Sequence, residues 1–195
     1  MITSRNLDKE IFRKLIKNIS FELMTPFFMH SEFETQDNII CQKLSKLVDR
    51  QFTNDLIMFY FPAKDEVKIN NVWTKWGREF CLPAMAGKEI VSKIVRSNDK
   101  LISAGWGHVK EPSEQASPAD LARISAIVVP GRAFDKKCRR LGRGKAHYDT
   151  FLAKLPATTY KIGVAYRHQI FESIPVEAHD VSMDLVITAD TQIRV

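Results

Sequence analysis

Between Arg132 and Lys145 the chain carries seven basic residues, Arg132, Lys136, Lys137, Arg139, Arg140, Arg143 and Lys145, against a single acid, Asp135. That local excess of six equals the formal net charge of +6 carried by all 195 residues, so the positive charge is concentrated rather than spread. An apolar run, Ile127-Val128-Val129, leads into the stretch and stops at Pro130-Gly131; Gly142 and Gly144 punctuate it, and an amphipathic segment, Tyr148 to Leu155, follows. A buried strand, a loop whose glycines let backbone amides approach an anion, and a helix behind it make a phosphate site of the parallel-sheet kind. Arg140, Arg143 and Lys145 are the fixed cations this site offers to a triphosphate, and they are the candidate catalytic residues.

Two familiar phosphate loops are excluded. A P-loop needs G-x-x-x-x-G-K-[ST]. Gly144-Lys145 supplies the G-K, but Arg139 stands where the first glycine belongs and Ala146 replaces the magnesium-binding hydroxyl. A dinucleotide fingerprint fails because Gly142-Arg143-Gly144 meets His147 at its third glycine position. Asp149, at the junction of loop and helix, either caps the helix or binds magnesium; the second role requires another oxygen donor, and Asp180 serves only if the fold brings it near.

The elements that must position these residues form an alternating pattern. Apolar positions 7, 11, 12, 15, 16 and 19 give Leu7 to Ile19 a helical period, and Ile39, Ile40, Leu44, Leu47 and Val48 do the same for Ser31 to Val48. Leu56 to Phe61 is a continuous apolar run stopped by Pro62, as in a buried parallel strand. Glu66 therefore falls just past a strand's carboxyl end, the edge where ligands bind in open α/β sheets. Val72 to Arg78 reads as a short helix, and Phe80 to Met85, Glu89 to Val95, Ala126 to Val129, Lys161 to Tyr166 and Leu185 to Thr188 read as strands. Leu101 to Pro112 reads as a glycine-broken loop carrying Trp106 and His108. The pattern predicts one three-layer α/β domain over residues 1–195, with a mainly parallel central sheet, helices on both faces and a Rossmann-like open sheet.

Composition fits that expectation. The chain is 45% hydrophobic and 27% charged, as ordinary globular proteins are. No signal peptide or transmembrane run is found in it. Cys41, Cys81 and Cys138 are far apart and form no C-x-x-C pair, which argues against a disulfide framework or a structural zinc site and places the protein in a reducing compartment, by default the cytoplasm. A basic chain suits either nucleic acid or an anionic small ligand. Only Phe134, His147 and Tyr148 interleave with the cations, fewer aromatics than a nucleic-acid surface uses.

The sequence resembles the 5-formyltetrahydrofolate cyclo-ligase family. The resemblance is carried by Pro130-Gly131-x-Ala133-Phe134-Asp135, then Arg140-Leu141-Gly142-x-Gly144, then Tyr148-Asp149-x-x-Leu152. Lys9-x-x-x-Arg13, Asp65-Glu66-Val67, Trp106-Gly107-x-x-x-Glu111-Pro112 and His179-Asp180-Val181 follow the family's order. The resemblance implies an ATP-dependent ring closure of 5-formyltetrahydrofolate to 5,10-methenyltetrahydrofolate, with release of ADP and phosphate. It implies ATP contacts from Lys9, Glu10, Ile11, Phe12 and Arg13, and from Arg140, Leu141, Gly142, Arg143, Gly144, Lys145, Ala146, His147 and Tyr148. Phe61 and Glu66 would line the folate pocket, with Arg143, Gly144, Lys145, Ala146 and His147 facing the substrate. Asp149 and Asp180 would hold Mg2+, and Trp106 would stack on the pterin or simply be buried. The implied partners are two small molecules, 5-formyltetrahydrofolate and ATP, with no nucleic acid and no membrane, in a monomer or small homo-oligomer.

The chain departs from the family pattern G-x-R-L-G-x-G-x-G-Y-Y-D at Cys138, Ala146 and His147, which replace glycine, glycine and tyrosine. If Ala146 must adopt positive φ, its methyl group costs about 1–2 kcal/mol. A weakened or repurposed member that binds folate or nucleotide is therefore one alternative to an active enzyme, and a basic nucleic-acid-binding module is another.

Overall fold

The computed structural model describes residues 8–24, 29–103 and 109–195. Trp106 and His108 lie outside the described residues. The central element is a seven-stranded sheet in the order β12-β11-β9-β6-β1-β2-β3, built from β1 (Leu56–Met58), β2 (Phe80–Ala86), β3 (Glu89–Val95), β6 (Ile124–Pro130), β9 (Tyr160–Val164), β11 (Leu185–Ile187) and β12 (Gln192–Arg194). The five inner strands are parallel, and β3 and β12 pair antiparallel at the two edges. The sheet is thus mainly parallel, as the apolar runs predicted.

Strand pleating explains why those runs are continuous rather than alternating. Ala126 and Val128 of β6 enter one buried cluster, while Ile127 and Val129 enter the other. Ile57 divides from Leu56 and Met58 in the same way, as do Leu185 and Ile187 from Val186. Both faces of these strands are covered, so every position must be apolar. Helix α2 (Met29–Gln51) and the short helix α3 (Asn70–Trp73) cover the first face, where Ile40, Leu44 and Val48 meet Ile57, Phe59 and Phe80. Helix α4 (His147–Leu152) covers the second face through Phe151 and Leu152.

Three expectations are refined. The basic stretch is not one loop: it contains β7 (Ala133–Asp135) and β8 (Arg140–Leu141), which pair antiparallel and, with β10 (Ile170–Phe171), form a separate three-stranded sheet. Asp135 makes that hairpin possible. Its fully buried carboxylate accepts the backbone N–H groups of Lys137, Arg139 and Ile174 and the guanidinium of Arg139. The stretch from Leu101 likewise includes a hairpin, β4 (Leu101–Ser103) with β5 (Lys110–Pro112). Finally, α1 (Lys9–Met24) packs Phe12 and Ile16 against Ala133, Leu141 and Ile174, while Ile11 and Leu15 of the same predicted stripe face outward at 52% and 45% exposure.

Strand order also locates a crevice. From β1 the chain moves outward to β2 on one side, and β6 pairs on the other side of β1. The carboxyl ends of β1 and β6 therefore diverge at a topological switch point, the place where open α/β sheets bind ligands.

Candidate active site

A cavity of about 870 Å³ opens at that switch point. Residues following β1 (Tyr60, Phe61, Ala63 and Glu66) form one wall, and Pro130, Gly131 and Arg132, at the end of β6, form another. Met85, Lys88 and Ile90 come from the β2–β3 hairpin, and Arg140, Arg143, Lys145, His147, Tyr148 and Asp149 from the basic stretch and α4. The segment carrying Glu66 is fastened on several sides. Tyr60 Oη donates to the carbonyl of Val67 at 2.8 Å, Tyr166 Oη to that of Glu66 at 3.2 Å, and the Ala63 amide to Glu66 Oε2 at 2.9 Å. Asp37 of α2 accepts from both Tyr166 Oη and the Lys68 amide at 2.9 Å, tying the helix to this segment.

Glycines shape the floor. A Cβ on Gly131 or Gly163 would come within 2.6 Å of the buried Phe134 ring, so these two positions make room for that side chain. Gly142 lies against Arg140: a Cβ there would meet Arg140 Nη1 at 2.9 Å. Gly144 has φ 93° and faces the Arg13 guanidinium, whose Nε donates to the Gly142 carbonyl at 3.2 Å. Ala146, the residue before α4, stands at φ 51° and ψ 10°, and Cys138 at φ 55°. Both positions predicted to want glycine are left-handed in this chain. The Cys138 thiol is fully buried and pushed up by burial, so it is not a reactive thiolate.

The concentrated charge is largely paired with acids from outside the basic stretch. Arg140 Nη2 donates to Asp149 Oδ1 at 2.9 Å, both groups being buried. Arg143 binds Asp65 and also Glu66 Oε1 at 3.1 Å, and Arg132 binds Asp65. Burial raises the Asp65 carboxyl, but Arg143 and Arg132 outweigh it and hold the group below its ordinary range. Arg143 is the converse: burial works against its charge, and Glu66 and Asp65 more than offset it. Arg140 Nε is buried without a hydrogen-bond partner among the described residues, although its guanidinium lies 5.6 Å from the Tyr148 ring centroid. Lys145 makes no hydrogen bond or ion pair among the described residues. Burial and the Glu66 charge both push the Tyr148 phenol upward, so Tyr148 is neutral at working pH.

The predicted residues divide into groups. Phe61, Glu66, Arg140, Gly142, Arg143, Lys145, Ala146, His147, Tyr148 and Asp149 line the cavity. Arg13 touches its glycine loop from α1. Leu141 and Phe12 are buried in the cluster between α1 and the small sheet. Glu10 is exposed and pairs with Lys14 at 3.0 Å. Asp180 is not among the cavity-lining residues; both its oxygens accept from Lys9 Nζ, at 2.7 and 2.6 Å. Tyr60, Arg132, Met85 and Lys88 were not anticipated. Tyr60 belonged to a strand whose ladder ends at Met58, and nothing in the β2–β3 turn sequence indicates that it reaches the cavity.

A model of the 5-formyltetrahydrofolate cyclo-ligase family matches residues 9–189. The chain belongs to this family. Among cyclo-ligase relatives, a probable 5-formyltetrahydrofolate cyclo-ligase of Schizosaccharomyces pombe is 26% identical over 179 residues, covering 83% of this chain and 87% of that protein. The 5-formyltetrahydrofolate cyclo-ligase of Mus musculus is 32% identical over 111 residues, 55% of this chain and 52% of that protein. The NMR structure of 5,10-methenyltetrahydrofolate synthetase from Aquifex aeolicus superposes with a TM-score of 0.80 at 26% identity, covering 95% of this chain and 92% of that one. This is an enzyme family, and the α/β fold is the one its members share. No helix of the described residues is long and apolar enough to cross a membrane.

Proposed function

We propose that this protein closes the ring of 5-formyltetrahydrofolate at the expense of ATP, giving 5,10-methenyltetrahydrofolate, ADP and phosphate. One observation carries the reading: an apolar cavity at the sheet's switch point is edged by a glycine-bearing stretch with Arg140, Arg143 and Lys145, and Arg143 meets Glu66 there. Flat, partly apolar pterin fits the Tyr60, Phe61 and Met85 wall, and Glu66 is an acceptor for its N–H groups. The triphosphate fits the loop from Gly142 to His147, with Arg13 and Lys9 beside it on α1.

The chemistry then asks mainly for positioning and charge neutralisation. The formyl oxygen attacks the γ-phosphorus and the bond to the β-phosphate oxygen breaks, releasing ADP. N10 adds to the activated formyl carbon and gives up its proton, the carbon–oxygen bond breaks, and the oxygen leaves with phosphate. Arg140 and Lys145 stabilise the negative charge on the transferring group, and the buried Arg140 is pre-aimed by Asp149. Arg143, bound to Glu66, spans the boundary between the two substrates and links their placement. The paired state of most cations favours such a defined anion over a nucleic-acid backbone. The three buried, unpaired cysteines suit a reducing compartment such as the cytoplasm.

Magnesium fits the donor set through Asp149. One of its oxygens accepts from Arg140 and the other makes no hydrogen bond among the described residues, matching an ion that takes one or two carboxylates with phosphates and water. Asp180, the second ligand the resemblance implies, is held by Lys9 and is not among the cavity-lining residues, so the donor set rests on Asp149. Bound there, magnesium would neutralise phosphate charge.

A less active member is the alternative, favoured by the methyl group of Ala146 at a left-handed position. The test is near-ultraviolet absorbance of the methenyl product with MgATP and 5-formyltetrahydrofolate. Product in the presence of ATP and none without it supports the proposal. Folate binding without product supports the alternative.

A further inference from the structure

The cations of the cavity form two groups. Arg132, Arg140 and Arg143 are each bound to a carboxylate. Lys88 and Lys145 make no hydrogen bond or ion pair among the described residues. Lys145 belongs to the loop proposed for the triphosphate. Lys88 stands elsewhere, in the two-residue turn Gly87-Lys88 that closes the β2–β3 hairpin at the pair Ala86 and Glu89.

That turn is well defined. Gly87 has φ 63°, the glycine-first geometry of a tight hairpin connection, and seven cross-strand pairs from Phe80–Val95 to Ala86–Glu89 hold the two strands behind it. Glu89, the acid next to Lys88 in the chain, is engaged by Lys154 at 2.6 Å and does not neutralise it. The same hairpin lends Met85 and Ile90 to the cavity wall. A rigid tip thus places an uncommitted ammonium at a cavity whose other free cation is assigned to phosphate.

The proposed substrates bring two separate anions, the triphosphate of ATP and the carboxylates at the glutamate end of the folate. We infer that Lys88 is the carboxylate-binding subsite for that glutamate end, with the aminobenzoyl ring lying on the Met85 and Ile90 wall. The inference rests on the proposed function. Because Lys88 is solvent-exposed, its attraction is screened by salt and modest in size. It therefore tunes specificity for the charged tail more than overall affinity.

The experiment compares wild type, Lys88→Gln and Lys88→Glu on 5-formyltetrahydrofolate, on its triglutamate form, and on 5-formyltetrahydropteroate, which lacks glutamate. Lys88→Gln should raise KM for the two glutamate-bearing substrates about threefold to fivefold at low salt, and Lys88→Glu more, with KM for ATP unmoved. The difference should shrink at high salt and be absent for the pteroate. An unchanged KM, or an equal loss on the pteroate, overturns the inference. Thermal stabilisation by 5-formyltetrahydrofolate separates this from the parent reading. If wild type makes no product, the proposed function fails. Weaker stabilisation of Lys88→Glu than of wild type would still support the subsite, and equal stabilisation would overturn it.

Discussion

The Lys9 ammonium lies 2.7 and 2.6 Å from the two carboxylate oxygens of Asp180 and 2.9 Å from Glu177, fastening α1 to a turn more than 160 residues away in the chain. Burial pushes the Asp180 carboxyl up, but Lys9, the Glu177 amide and His179 outweigh it, so the group titrates below its ordinary value. A depressed carboxyl contributes stability that is fully present above its unfolded pKa, near about 3.9, and is lost as pH falls through the folded value. Lys9→Met should therefore lower the urea midpoint at neutral pH, with the gap from wild type closing below about pH 4. It should also raise KM for ATP. A gap that stays constant with pH would show that the pair does not hold α1 in place.

The left-handed Ala146 makes a second prediction. Its methyl group costs about 1–2 kcal/mol, and glycine recovers most of this while adding unfolded-state entropy. Ala146→Gly should stabilise the protein by about 0.5–1 kcal/mol in chemical denaturation. Cys138→Gly has the same backbone benefit at φ 55° but empties a fully buried position, losing about 1 kcal/mol of side-chain burial, so it should give no gain. Equal responses at the two sites would contradict this account.

Gly163→Ala tests the packing beneath the cavity. The added Cβ would stand 2.6 Å from Phe134 Cε1, and the ring's other edge is already against Gly131. With no room for the ring to withdraw, the substitution should cost about 1–3 kcal/mol and lower Tm by several degrees. Combining it with Phe134→Leu should cost less than the two single changes together, because one clash is shared.

Arg143 belongs to the loop proposed for the triphosphate and binds Glu66, the residue proposed for the folate, as well as Asp65. Arg143→Ala should reduce kcat/KM by about 100-fold, by uncoupling the triphosphate loop from Glu66 and misplacing the two substrates relative to each other. Glu66→Gln should instead raise KM for the folate and leave KM for ATP nearly unchanged. Steady-state kinetics with each substrate varied in turn distinguishes the two patterns.

Much of the fold was legible because strands covered on both faces must be continuously apolar, as Ile127-Val128-Val129 is. The left-handed demand at Ala146 was legible as a departure from the pattern of related chains. The pairing of Arg143 with Glu66, and of Lys9 with Asp180, was not, because each joins residues far apart in sequence through side-chain geometry that periodicity does not encode. The same holds for the charge count. Six excess positive charges in one stretch suggested a phosphate-binding loop, and only the fold shows how many are met by Asp65, Glu66, Asp149 and the buried Asp135. The β7–β8 hairpin was hidden for a related reason: its strands are very short, and it is held by Asp135 rather than by an apolar run.

The most direct test of the proposed reaction follows the formyl oxygen. Substrate carrying a heavy oxygen isotope in its formyl group is converted with MgATP, and the methenyl product and phosphate are analysed together. The account predicts methenyl product in step with phosphate release, with the label recovered in that phosphate. Phosphate free of label, or ATP hydrolysis without methenyl product, would contradict it.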